Sequence, residues 1–123
     1  MRIEEIQQII DRTDYWDMRI LEIKSAFLGD EIYIFIENDE ETSWKITFSI
    51  CYKASYETDA NIRKISNVSK MTNGQLGYYG QDITVNESEI KGFYNISLDF
   101  TIMVMKITCK EITVEKIPNT ILN

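Results

Sequence analysis

Four carboxylates fall within five residues at Glu37-Asn38-Asp39-Glu40-Glu41, the densest run of chemically capable side chains in the chain. Such a run can hold a cation or steer a positively charged partner. A dedicated calcium loop needs regularly spaced oxygen ligands around a central glycine, and this run has neither. The remaining chemistry is electrostatic recognition, with Asp30 and Glu31 toward the far end of the same hairpin. Tyr33, Phe35 and Trp44 flank the carboxylates and can supply the rigid aromatic anchors on which binding energy concentrates, while charge steers the encounter. Tyr79 is a further candidate, because adjacent tyrosines on a strand point to opposite sides and the pair Tyr78-Tyr79 then exposes one ring. The partner-binding candidates are therefore Glu37, Asp39, Glu40, Glu41, Trp44, Tyr33 and Tyr79. The plain alternative for the acidic run is a solvated turn.

Catalytic chemistry is narrowed by composition, since the chain contains no histidine. That removes Ser-His-Asp and Cys-His arrangements, a histidine general base and histidine metal sites. Glu22, Glu31, Glu37 or Asp82 could pair as acid and base, but charged strand positions are first of all a solvated face. Cys51 shares strand parity with Lys45 and Lys53, which would lower its thiol pKa if they approach it. The plain reading is an inert thiol. Gly74, Gly77 and Gly80 lack the Lys-Ser/Thr of a phosphate loop and mark turns. No catalytic residue, metal ligand or cofactor is assigned, and the expectation is a non-enzyme.

The elements that carry these residues follow from hydrophobic period. Ile3, Ile6, Ile9 and Ile10 share one face of a helix spanning about residues 2–12, with Glu4, Glu5, Gln7 and Gln8 opposite. From Tyr15 the period becomes two. Trp16–Phe27 is a strand, Leu28-Gly29-Asp30-Glu31 a turn, and Ile32, Ile34 and Ile36 alternate with Tyr33 and Phe35. After the acidic turn, Trp44, Ile46, Phe48, Ile50 and Tyr52 form a third strand. Ala54–Gly80 is less regular, with Ile62, Ile65, Val68 and Met71 at every third position, and is assigned to loop and strand. Ile83 and Val85 open another strand, then Tyr94–Phe100 and, after a tight connection near Thr101, Met103–Cys109. Apolar parity then switches to Ile112 and Val114, which predicts a β-bulge near Lys110. Pro118 ends the last strand. One N-terminal helix on a curved antiparallel sheet, sandwich or incomplete barrel of six to seven strands is the expected α+β, mainly β fold. With one proline and no linker or repeat, residues 1–123 form a single domain.

At 123 residues and 44% hydrophobic content the chain can bury a real core. No run reaches the ~18 apolar residues of a membrane helix, Phe100–Ile107 being interrupted by Lys106. Glu4 and Glu5 stand where a secretory signal would be basic and then apolar, which predicts a cytoplasmic protein. Cys51 and Cys109 are then free thiols, and the Asn-x-Ser sites at Asn67, Asn86 and Asn95 accidental. Of the net charge of −7, the excess is all in residues 1–41, with twelve acids and four bases against eight and nine in the remainder. Nucleic acid, which requires clustered cations, is a poor ligand for such a chain, and a basic protein a good one.

Two stretches, Tyr15-Trp16-Asp17-Met18-Arg19-Ile20-Leu21-Glu22-Ile23 with its following Gly29-Asp30 turn, and Ile107-Thr108-Cys109-Lys110-Glu111-Ile112-Thr113-Val114, resemble the small β-rich bacterial immunity proteins of polymorphic toxin systems. Those proteins often carry histidine where Trp16 precedes Asp17. The resemblance implies a protein that binds and neutralises a cognate toxin, often a nuclease, inside the producing cell, and it transfers no functional residues. An acidic domain blocking a cationic nuclease surface agrees with the charge reading. The alternatives are a small-molecule-binding β-barrel or sandwich whose cavity is lined by Trp44, Phe48, Met103 and Met105, and a homo-oligomeric module pairing through strand edges.

Overall fold

The structure is a computed structural model that describes residues 2–59, 67, 69 and 77–122. Helix α1 spans Ile3–Asp11 and buries Ile6 and Ile10. Six strands follow: β1 Ile20–Ala26, β2 Glu31–Glu37, β3 Thr42–Thr58, β4 Asp82–Glu87, β5 Tyr94–Asp99 and β6 Met103–Pro118. They form one open antiparallel sheet in the order β1-β2-β3-β6-β5-β4. This is the expected helix plus antiparallel sheet, mainly β, with six strands and no closure into a barrel. The series Ile62, Ile65, Val68 and Met71 lies outside the described residues.

The spine of the sheet is the pairing of the two long strands, β3 and β6, from Thr42 opposite Pro118 to Thr58 opposite Met103. On one face Ile32, Ile34 and Ile36 of β2 meet Phe48, Ile46 and Trp44 of β3, and these continue into Ile112 and Val114 of β6. Ile83, Val85, Ile96, Leu98, Met105 and Ile107 extend the same core, and Ile6 and Ile10 close it. The four residues offered as cavity walls are core material: Phe48 and Met105 are buried within the cluster, and Trp44 and Met103 pack against it.

Two expectations are corrected. The first strand begins at Ile20 and not at Trp16, because Asp14 and Asp17 adopt left-handed φ of 49° and 63° and break the extended chain. Aspartate tolerates that conformation better than most residues. Trp16 and Arg19 keep only single bridges, to Gly80 and Tyr79. The parity switch in β6 is present, with burial passing from Cys109 to Ile112, but the extra residue sits in the partner strand, between Cys51 and Lys53. Just before it Ile50 takes φ 56°, rare for a β-branched side chain.

The free edge of β4 is closed by side chains. Gln7 of α1 donates its amide to the Ile83 carbonyl (2.7 Å) and accepts from the Val85 N–H (2.9 Å), so it stands in for one residue of a neighbouring strand. The buried Tyr15 hydroxyl accepts from the Ile83 N–H at 2.9 Å. The helix is thereby fixed to the sheet by hydrogen bonds as well as by its isoleucines.

Candidate functional site

The turn between β2 and β3 holds its shape through Asp39. Its carboxylate accepts hydrogen bonds from the Thr42 hydroxyl (2.8 Å) and from the backbone N–H groups of Thr42 (2.7 Å) and Glu41 (2.9 Å). These bonds hold its carboxyl below the usual aspartate range, the Thr42 hydroxyl contributing most. Asn38 donates to the Thr42 hydroxyl (2.8 Å) and accepts from the Trp44 indole N–H (3.1 Å). From the other end of the chain, the Asn119 side chain donates to the Glu40 carbonyl (2.9 Å), and its backbone N–H donates to the Glu41 carbonyl (2.8 Å). The turn is thus braced on both sides. Glu40 and Glu41 project from it exposed, with no hydrogen-bond or ion-pair partner among the described residues for either carboxylate.

Beside this turn lies an open cleft of about 650 Å³, whose wall includes Arg19, Glu22, Glu37, Asp39, Glu40 and Asn119. Arg19 engages Glu37 through both its Nε, at 3.0 Å, and its terminal nitrogen. That pair positions one carboxylate of the rim and neutralises it. Glu22 has Lys24 at 3.6 Å, while Asp39 and Glu40 leave the cleft acidic.

Of the residues singled out from sequence, Glu37, Asp39 and Glu40 are brought together here, with Glu41 on the same turn. Trp44 stands near them but is half-buried, bonded to Asn38 and covered by Lys116, whose Nζ lies 4.9 Å from the ring centre. Tyr33 is on the opposite face of the sheet, in register with Thr47 and not with the Trp44–Ile36 side. Its hydroxyl donates to Glu31 (3.0 Å), and Lys45 lies 4.6 Å above its ring. Tyr79 reaches the area through its bridge to Arg19. Arg19, Glu22 and Asn119 carry no mark of a partner contact in the sequence. Their place depends on the Arg19–Glu37 pairing and on a C-terminus returning to the turn, neither of which has a local sequence signal.

The thiols contradict the activated alternative. Cys51 and Cys109 face each other as register partners across β3 and β6, and both are free. Burial pushes the Cys51 thiol up to about 11, with Asp30 and then Glu31 adding to the shift. Burial, then Cys51, pushes Cys109 up to about 12. Lys45 and Lys53 do not lower Cys51. Because the thiolate is the reactive form, iodoacetamide at pH 8 is expected to modify the native protein roughly a hundredfold more slowly than the denatured chain. Equal rates would refute the burial account. Among the described residues no three Cys, Asp or Glu side chains converge to hold a metal ion. No helix of the described residues is long and apolar enough to cross a membrane.

The architecture is a small open antiparallel sheet with one capping helix and an acidic, braced turn. The family model described as Immunity protein PIM7 matches residues 2–116, and the chain belongs to that immunity protein family. In fold it is similar to an uncharacterized protein from Neisseria gonorrhoeae, with a TM-score of 0.57 and 15% identity over 82% of this chain and 92% of that one. No curated protein matches the chain.

Proposed function

We propose that this chain is a cytoplasmic immunity protein that neutralises a cognate toxin of basic surface, such as a nuclease, by covering it with the acidic cleft and turn. The observation that carries the reading is the braced Asn38–Glu41 turn, which presents Glu40 and Glu41 to solvent beside Glu22 and Asp39. Order of this kind matters because a preformed charged surface loses little entropy on binding. The family match supports a protein partner, and the chain's acidic first third supports a basic one.

The experiment is a pull-down from the source cell's lysate at low and raised salt, with wild type and the double variant Glu40→Lys, Glu41→Lys compared side by side. These two positions are the right ones to reverse, since reversing Asp39 would also dismantle the turn. Expected is one basic protein captured by wild type, weakened by salt, and bound on the order of tenfold or more weakly by the variant, whose melting temperature is unchanged. Equal capture of that protein by both forms would remove the acidic turn from the interface.

A further inference from the structure

The sheet has two edges, and only one is closed among the described residues. Gln7 and Tyr15 satisfy β4. On β1, the Ile20 N–H donates to the Tyr78 carbonyl at 2.9 Å, which ends the edge there. From Leu21 to Ala26 no described residue other than those of β2 bonds the backbone. A bare edge is a template for another strand.

The side chains along this edge say which strand. Glu22 and Lys24 lie on one face, opposite Phe35 and Tyr33 of β2, and half-buried Ile23 lies between them on the core face, opposite Ile34. An antiparallel copy of the same strand, centred on Ile23, places Glu22 against Lys24 of the second copy, and Lys24 against its Glu22. Ile23 then meets Ile23. The charge order is self-complementary, which is what an isologous two-fold interface requires.

A second observation lies at the end of the same strand. The tip that follows β1 exposes Phe27 (71%) and Leu28 (109%), both in left-handed backbone at φ 52° and 57°. Bulky residues rarely take that conformation, and here they take it without burying their side chains. Met18 and Leu21, at the other end of β1, line the cleft. Antiparallel pairing carries the apolar tip of each copy toward the Met18 and Leu21 end of the other.

We propose that this chain forms a two-fold dimer through antiparallel pairing of Leu21–Ser25 with the same segment of a second copy. The dimer involves no toxin, so it is tested on the purified full chain by sedimentation velocity across a concentration series. Wild type is expected to show a concentration-dependent dimer. Glu22→Lys and Lys24→Glu each bring like charges face to face twice, and each is expected to weaken the dimer on the order of tenfold. Mixing the two variants is expected to restore a dimer of wild-type strength, because the doubly basic strand of one meets the doubly acidic strand of the other. Circular dichroism melts matching wild type show that neither variant is unfolded, and recovery on mixing requires two folded partners. Wild type that stays monomeric up to its solubility limit leaves the edge to a different protein and overturns the dimer. Single reversals without effect, or no recovery on mixing, overturn the pairing register.

Discussion

Gly80→Ala is expected to destabilise the protein by about 3 kcal/mol or more, at the upper end of what overpacking costs. A methyl group at this position would lie 2.3 Å from the Tyr15 carbonyl oxygen and 3.0 Å from its ring, so backbone must move. Movement is resisted from both sides. The Gly80 N–H donates to the Met18 carbonyl at 2.9 Å, and the Gly80 carbonyl accepts from the Asp17 N–H at 2.8 Å. Tyr15 is held in turn by its hydrogen bond from Ile83 at the edge of β4 and by its stacking on Trp16, with ring centres 4.2 Å apart. Displacing Tyr15 would leave a buried N–H of β4 without its acceptor, which adds to the steric cost. Thermal unfolding followed by circular dichroism should drop by roughly 10 °C for a chain of this size. Gly92→Ala is the control: nothing lies within 4 Å of the added atom, and the only penalty is the positive φ of 87°, about 1 kcal/mol. If Gly80→Ala is no worse than Gly92→Ala, the contact with Tyr15 does not hold the 15–20 segment in place.

Much of the fold is legible because its strands and helix obey simple periods. The isoleucines at 3, 6 and 10 mark the helix, and the alternations through 32–36 and 44–48 mark the central hairpin with its correct inward face. Where local geometry departs from propensity, the reading fails. Asp14 and Asp17 interrupt an otherwise plausible strand, and aspartate's tolerance of left-handed backbone is visible only in retrospect. Ile50 is harder still, since a β-branched residue is the last choice for left-handed backbone, and the parity switch to Ile112 points to β6 although the extra residue lies in β3. The partner of each long strand is a non-local fact. No local pattern joins β3 to β6, and with that pairing hidden, the meeting of Cys51 with Cys109 was hidden too.

The candidate site divides the same way. Glu37, Asp39, Glu40 and Glu41 are neighbours in sequence, so their proximity was never in doubt. What sequence could not supply was their division of labour. Asp39 is consumed in building the turn and Glu37 in pairing Arg19, while Glu40 and Glu41 remain presented to solvent. Tyr33 and Trp44 do not share a face, because strand parity sends the odd and even residues of paired strands to opposite faces. By sequence pattern alone the apolar tip at Phe27 and Leu28 is the end of a strand and a turn. Its left-handed backbone, carried by residues that do not favour it, is invisible to propensity.

Two phenylalanines test how the chain divides apolar side chains between folding and contact. Phe48 is fully buried, in register with Ile32 on one side and Ile112 on the other. Phe48→Ala removes a whole ring from a packed interior, and is expected to cost about 3–5 kcal/mol in urea unfolding. That is a large share of the roughly 6–18 kcal/mol typical for a domain of this length. Phe27 is the same residue type with the opposite placement, 71% exposed at the tip, and Phe27→Ala is expected to change stability by no more than about 0.5 kcal/mol. Its effect should appear instead in self-association. A Phe27→Ala variant as unstable as Phe48→Ala would mean that the tip packs on the body of the same chain, and the apolar surface offered to a second copy would vanish with it.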